Sequence, residues 1–380
     1  MPAPVSVVRS VAAVALASLA AAFAIFMFTP MPTMRLWILH VASLEFSLVT
    51  AVLAVLALVL ARRAAPAARR VAFVTAGLSL LAALLPFASA APVYLRTGTR
   101  FSPAEYLRGV QMVAVVEHRG VLLDARSPGL PSDVYEGVGS GPHPFVVVVH
   151  GGGWRGGERG ESPWVSRALA HAGITVIDVH YRLSGEGRFP AAIADVKCLL
   201  GRAREKSAEL GIDPSRAALL GRSAGGEIAL VAAYSAGDAR LPPSCATEDA
   251  RVRAVVGIYS PTALAWGHDH PFHPDVVRGP EVLEAFLGGT PAEAPEAYRL
   301  ATPQTWIDGH PLPRTLLIQG GFDRMVSAEH SERLAKALEE HKQPVRLLEI
   351  PLAEHGFDRR PGGLGEQLAR AAILEFLAGL

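Results

Sequence analysis

The chain has 380 residues, 50% of them hydrophobic and 19% charged, with a formal net charge of +1. That length exceeds one small domain and points to about two units. Positive mean hydropathy with so little charge is unusual for a soluble enzyme, and without a long basic run nothing calls for a nucleic-acid partner.

The excess hydrophobicity lies at the front. Val11 to Phe28, Leu36 to Ala61 and Val71 to Ala91 are each long enough for a helix to cross a hydrocarbon core of about 30 Å, with Pro86 a potential kink in the third. Thr29 to Thr33 and Arg62 to Arg70 read as the connections. Three transmembrane helices are expected, which makes 1–97 a membrane domain and 98–380 a second, soluble domain. A cleaved signal peptide is the other reading of the first span, permitted by the Ala-rich 17–22 stretch; two further spans behind it favour an anchored bundle. Arg9, Arg62, Arg63, Arg69 and Arg70 fall on one side and only Arg35 on the other. The positive-inside rule therefore puts the N-terminus in the cytoplasm and the soluble domain outside; Arg96, Arg100 and Arg108 after the third span weaken that bias without reversing it. His40 and Glu45 lie within the second span, where an ionisable side chain is by default a functional hypothesis. The plainer account is a protonated Glu45 bonded to a neighbouring helix, through Ser43 or Ser47, and it is favoured because three spans are few for a transport path.

Pro92 to Thr99 reads as a short linker. Ser102-Pro103-Ala104-Glu105 is a capping box with Pro at the first helical position, so a helix should start there. Strands are expected at Val113 to Val116, Val121 to Leu123, Phe145 to Val149, Ile174 to Val179, Ala217 to Leu220, Val252 to Ile258, Thr315 to Gln319 and Val345 to Ile350. Helices are expected at Trp164 to His171, Ala191 to Leu210, Glu227 to Ser235, Ala328 to Glu340 and Glu366 to Leu377. Alternating strands and helices mean an α/β fold with a mostly parallel sheet. The two cysteines, Cys198 and Cys245, have no C-x-x-C spacing, so zinc and dithiol redox chemistry are not indicated. A disulfide is open to a domain outside the cytoplasm, but Cys198 sits in an apolar helical run, and a buried free thiol is the favoured reading.

The chemistry centres on Leu219-Leu220-Gly221-Arg222-Ser223-Ala224-Gly225-Gly226. An apolar strand, G-x-S-x-G and a helical run make a nucleophile elbow. Gly221 and Gly225 remove Cβ atoms where helix and strand approach, and the hydroxyl of Ser223 stands at a helix N-terminus that favours developing negative charge. His150-Gly151-Gly152-Gly153-Trp154 follows the Phe145 to Val149 strand; its amides, with that of Ala224, can form an oxyanion hole. A phosphate loop would want Lys and Ser/Thr after the glycines, and Trp154-Arg155 does not supply them. His150 reads as a loop-fixing hydrogen bonder. An acid, Asp323, follows the Thr315 to Gln319 strand, and a base, His355, follows the Val345 to Ile350 strand. Asp323 would orient His355, which would take the proton of Ser223 and pass it to the leaving group. Trp154, Phe189 and Phe357 are expected to line the substrate site. The His268 to His273 stretch could suggest a metal, but Pro271 breaks its register, so a lid or pocket loop is favoured and no metal or cofactor is expected. Glu329 and His330 read as surface residues.

From about Val121 to Leu377 the chain resembles the hormone-sensitive-lipase-like and BD-FAE-like α/β-hydrolases, a large group of carboxylesterases. The matching motifs are His150 to Trp154, Asp178 to Leu183, Arg188 to Val196, Gly211 to Arg216, Gly221 to Gly226, Asp323 and His355. By resemblance the oxyanion donors are Gly152, Gly153 and Ala224. Arg222 departs from the usual elbow residue and sets a positive charge beside the nucleophile, and the three-span front end is no part of the hydrolase pattern. The resemblance implies a serine esterase acting through an acyl-enzyme; the apolar spans add a membrane anchor, and with it a small-molecule, lipid-like ester as the expected substrate. Two alternatives remain: an amidase or peptidase on the same scaffold, since the HGGGW loop is also similar to that of arylformamidases and prenylcysteine methylesterases, and a membrane receptor or scaffold with a vestigial hydrolase domain.

Overall fold

The computed structural model describes residues 4–29, 31–123, 129–247, 249–271 and 276–380. By compactness the chain divides into one unit of residues 1–109, 320–322 and 350–368, and another of 110–319, 323–349 and 369–380.

The first unit begins with five helices: α1 (Pro4–Phe28), α2 (Met34–Glu45), α3 (Ser47–Ala61), α4 (Pro66–Thr97) and α5 (Pro103–Arg108). Its interior inverts the usual arrangement. Ala13, Ala17, Ala20, Ala54, Ala57, Ala61, Ala72 and Ala76 form a buried cluster, while Val52, Val55, Leu56, Val59, Val74, Leu78 and Leu81 face outward. Small residues let helix backbones approach closely, and large apolar residues suit a lipid exterior. Residues Val7–Phe28 and Pro66–Thr97 are each long and apolar enough to cross a membrane. The stretch expected as one second span instead breaks at Phe46 into α2 and α3, which are bent by 72°. At about 18 Å and about 22 Å, neither crosses a core of about 30 Å alone. The break coincides with buried Glu45, Ser43 and Ser47. Glu45 takes its hydrogen bond from the backbone N–H of Gly365, and Ser43 donates to the Leu39 carbonyl. The helix at the expected third span is longer than its apolar stretch: α4 continues through Pro92 to Thr97, over residues that read as linker, and stops at left-handed Gly98. The expected cap is present, with Glu105 N–H donating to Ser102 Oγ at 3.2 Å.

The second unit is built on an eight-stranded sheet: β1 (Glu117–Leu122), β2 (Pro131–Tyr135), β3 (His143–Val149), β4 (Thr175–Val179), β5 (Ile212–Arg222), β6 (Ala254–Ile258), β7 (Arg314–Gly320) and β8 (Val345–Ile350), in spatial order β1-β2-β4-β3-β5-β6-β7-β8. The pairs β1–β2 and β2–β4 are antiparallel; β3–β4, β3–β5, β5–β6 and β6–β7 are parallel. Val113 to Val116 is not a strand, and β2 has no counterpart in the sequence reading. Phe145 to Val149 of β3 and the whole of β6 are continuous apolar runs, as burial on both faces requires, while β4 carries the buried Asp178 among apolar residues. Between strands lie α6 (Pro163–His171), α7 (Ala191–Glu205), α8 (Ser207–Leu210), α9 (Ala224–Tyr234), α10 (Leu264–Asp269), α11 (Gly279–Leu287), α12 (Pro295–Leu300) and α13 (Glu329–Glu340); α14 (Leu364–Leu377) ends the chain.

Cys198 on α7 is not a free thiol. It is bonded to Cys245, with Cα atoms 5.4 Å apart. Helical periodicity marks the side chain as buried, but it cannot show that the loop after α9 brings a second cysteine opposite it. In the same region Lys197 is buried and donates to the carbonyls of Ser235 and Leu241 at 2.7 and 2.6 Å, and burial lowers its pKa to about 8.

The order of the strands reverses around β3. The chain goes from β3 outward to β4, then returns past it to β5. In an open α/β sheet, the crevice at such a switch point, outside the carboxyl ends of the strands, is where ligands bind.

Candidate active site

Ser223 sits at that switch point, between β5 and α9, with φ 53° and ψ −126°. A positive φ is costly for a residue with a Cβ and persists only where the surroundings enforce it. Here Ser223 N–H donates to the Ile258 carbonyl at 2.9 Å, and the N–H groups of Gly226 and Glu227 return to the Ser223 carbonyl. A Cβ on Gly221 would strike the Gly225 carbonyl, and one on Gly225 would strike the carbonyls of Val149 and His150. The two glycines therefore make the turn possible.

The glycine loop after β3 lies against this elbow. A Cβ on Gly151 would stand 3.3 Å from Ser223 Cβ and 3.0 Å from the Arg222 carbonyl oxygen. Gly152, Gly153 and Trp154 all have positive φ, at 118°, 61° and 56°. Ala224, the residue after the serine, opens α9. His150 holds the loop: its ring stacks 4.3 Å from Tyr181, Nδ1 bonds the Gly151 carbonyl, Nε2 lies 3.2 Å from His180 Nδ1, and Tyr181 OH donates to the His150 carbonyl. Burial lowers its pKa to about 4, so the ring is neutral near pH 7.

Trp154 does not stand open to a substrate. It is buried, stacks on Phe286 at 4.7 Å and donates through Nε1 to Glu227 Oε2 at 2.9 Å. Burial pushes the Glu227 carboxyl well above the usual range. This clamp joins the glycine loop to the first turn of α9, one turn beyond Ser223. Phe189 is half-buried and meets Phe286 edge-on at 5.9 Å. Arg222 is also buried. It lies in range of Asp178, whose pKa burial raises to about 7 against the opposing pull of the Gly160 N–H and the Arg222 charge.

Asp323 occupies the turn after β7 and is 3% exposed. Oδ1 accepts from the amides of Met325 and Val326 at 2.9 and 2.8 Å, and Oδ2 from Gln319 Nε2 at 3.2 Å. Gln319 Oε1 accepts from Ser331 Oγ on α13 at 2.8 Å. His330, expected at the surface, is buried, and its Nδ1 accepts from the amides of Thr262 and Ala263. His330 lies four and eight residues before Leu334 and Leu338, on the buried face of α13.

His355 lies in the first unit, in the segment after β8. Within that unit Gly321 N–H donates to Ile350 O and Phe322 N–H to Ala353 O, at 2.9 and 3.1 Å. Residues 320–322 are thus bonded to residues 350–353. Phe357 is fully buried in the same segment. Among the described residues no three His, Cys, Asp or Glu side chains gather as a metal site. His268 faces Asp269 and Glu284, and His273 lies outside the described residues.

The BD-FAE family model matches residues 133–338, more than half of the chain, including Ser223, the glycine loop and Asp323. The chain belongs to the BD-FAE family. Two curated relatives come from Mycobacterium tuberculosis. The probable carboxylic ester hydrolase LipM is 30% identical over 63% of this chain and 55% of its own length. The esterase LipC is 30% identical over 68% of this chain and 64% of its own. The chain thus spans little more than half to about two thirds of these relatives. Among solved structures, a truncated carbohydrate esterase from gut microbiota has a TM-score of 0.60 at 21% identity, over 72% of this chain and 99% of that one. That likeness bears on the α/β-hydrolase fold, and the sheet described above agrees with it. Sequence reasoning found the elbow and the glycine loop of this family member but missed Gln319, Ser331 and Glu227. Gln319 is the last polar residue of an apolar strand, four before Asp323, and that spacing was the available signal.

Proposed function

We propose that this BD-FAE member is a membrane-anchored serine hydrolase that cleaves carboxylic esters through an acyl-enzyme. The observation that carries the reading is the strained Ser223, held at the switch point with the glycine loop against it. In this reading Ser223 Oγ attacks the ester carbonyl carbon while His355 takes the hydroxyl proton. The oxyanion is met by the amides of Gly152, Gly153 and Ala224, at the N-terminus of α9. Collapse expels the alcohol, which receives the proton from His355. Water then repeats the sequence and frees the acid. Asp323, already fixed by three donors, orients the imidazole and stabilises its charged form.

Residues 1–97 would anchor the catalytic part, 98–380, as a multi-pass segment, with the catalytic part outside the cytoplasm; the Cys198–Cys245 bond supports an oxidising location. The anchor makes amphiphilic esters of short to medium chain the proposed substrates, with Phe189 toward the acyl or alcohol group. The names of LipM and LipC support ester hydrolysis over amide hydrolysis.

The deciding experiment assays full-length protein and Ser223→Ala against aryl esters of graded chain length. The variant should lose about 10⁶-fold in kcat, with folding nearly unchanged because a single hydroxyl of a half-buried residue is removed. Residual activity above a small fraction would sink the nucleophile, and a strong preference for acetylated polysaccharide would sink the lipid-like substrate.

A further inference from the structure

Helix α2 carries two buried ionisable side chains, His40 at 1% and Glu45 at 2% exposure, that the proposed chemistry does not use. Such groups persist in apolar surroundings only where something satisfies them. Both are satisfied by the segment that carries His355, inside the same compact unit. His40 Nδ1 contacts the carbonyl oxygen of Phe26, one of the last four carbonyls of α1, which lack partners within their helix. A carbonyl only accepts, so Nδ1 bears a proton. Nε2 then faces Glu354 Oε2 at 3.3 Å with a single proton between them, on the imidazole or on the carboxyl. The other carboxyl oxygen, Oε1, accepts from the backbone N–H of His355 at 2.9 Å. Hydrogen bonds therefore run from α1 through His40 and Glu354 to the main chain of His355.

Two further contacts act on the same segment. Trp37, three residues before His40 and on the same face of α2, has its ring centroid 6.4 Å from that of His355. Gly356 makes room for it, since a Cβ there would stand 3.2 Å from Trp37 Cη2. Glu45 accepts from Gly365 N–H at 2.7 Å. That amide lies in the first turn of α14, where unpaired N–H groups favour a carboxylate, and no side chain would fit at Gly363 or Gly365 without meeting Glu45.

We infer that α2 is a positioning element for the proposed base: the His40–Glu354 pair fixes the main chain at His355, so proton transfer depends on a residue of the apolar helix bundle. The inference rests on the triad reading above. Its size follows from the steepness of catalysis in geometry, where a displacement of about 1 Å costs on the order of 10²-fold.

The test uses the full chain in micelles or nanodiscs and reads kcat and KM for an aryl ester, with the rate of Ser223 labelling by a fluorophosphonate as a second report on the base. Glu354→Leu and His40→Phe should each lower kcat and the labelling rate by about 10- to 100-fold while KM stays within about threefold. Glu354→Gln should rescue: its amide oxygen keeps the His355 N–H, its NH₂ donates to the lone pair of His40 Nε2, and kcat stays within about fivefold of the parent. Should His40→Phe fail to accumulate, His40→Leu carries the same expectation. Loss in Glu354→Gln as deep as in Glu354→Leu would mean that charge rather than position matters, and would overturn the inference. Unchanged kcat in the His40 variants would also overturn it. An inactive parent, or activity surviving in Ser223→Ala, would instead break the triad reading, and the inference would fall with it.

Discussion

Gln319 donates to Asp323 Oδ2 at 3.2 Å while its own Oε1 accepts from Ser331 Oγ at 2.8 Å. The carboxylate is thereby held from two sides, by main chain at Oδ1 and by a side chain that α13 in turn keeps from rotating.

Gln319→Leu should therefore remove one donor from Asp323 Oδ2 while its turn amides stay in place. Losing one neutral donor to a charged acceptor is worth about 1.5–3 kcal/mol, so kcat should fall by roughly 10- to 100-fold with little change in KM. Ser331→Ala, one step further out, should cost less. Steady-state kinetics on the two variants check the order; a larger loss in Ser331→Ala would contradict it.

What the sequence made legible, and what it hid, follows from where each pattern gets its partners. The strands β3, β5 and β7 are apolar because both faces are covered, and such runs can be read directly. The edge strand β1 carries Glu117, His118 and Arg119 and is largely exposed, so it has no apolar signature. In β2, Ser132 and Asp133 are polar yet buried; Asp133 is satisfied by Arg119, Arg159 and the Gly120 N–H, partners that lie outside its own strand. The break at Phe46 was hidden for the same reason, because Glu45 finds its donor 320 residues away. Local chemistry, as at Gly221 to Gly226, is visible in the sequence; long-range satisfaction is not.

A pH dependence follows from His330. Its Nδ1 accepts two backbone amides and burial lowers its pKa from 6.5 to about 4. The unfolded chain takes up a proton that the folded chain refuses. Its stabilising contribution is thus full above about pH 6.5 and is lost as pH falls toward 4, at up to about 1.4 kcal/mol per pH unit. His150 shares this window and Asp178, raised to about 7, opposes it, so the effect is read by difference. Between pH 7 and pH 4.5 the unfolding free energy of His330→Gln should improve relative to the parent by about 2 kcal/mol. Parallel pH curves for the two proteins would show that His330 does not titrate this way.

The bond between Cys198 and Cys245 closes a loop with a sequence separation of 47. Removing such a cross-link releases unfolded-state entropy worth on the order of 4 kcal/mol. The Cys198→Ser/Cys245→Ser double variant should melt well below the parent under oxidising conditions, and dithiothreitol should lower the parent's midpoint without affecting the variant's. A variant that melts with the parent would mean that the bond does not form in the protein as made.

The orientation of the catalytic part turns on α4. The loop before it carries Arg62, Arg63, Arg69 and Arg70, and positive loops stay in the cytoplasm. If α4 crosses once, whatever follows it lies outside, however α2 and α3 are arranged. The 72° bend then decides the N-terminus. Three crossings, with α2 and α3 as one broken span, put Arg9 inside; a re-entrant α2–α3 pair puts it outside. The bias of Arg9 toward the cytoplasm favours three. An alkaline phosphatase fused after Leu380 should be active and one fused after Arg63 inactive, and the reverse pattern would refute the orientation. A single cysteine introduced at Ser6 completes the test, since both native cysteines are bonded. Protection of that thiol from a membrane-impermeant maleimide on intact cells is the expected result, and labelling would establish the re-entrant pair instead.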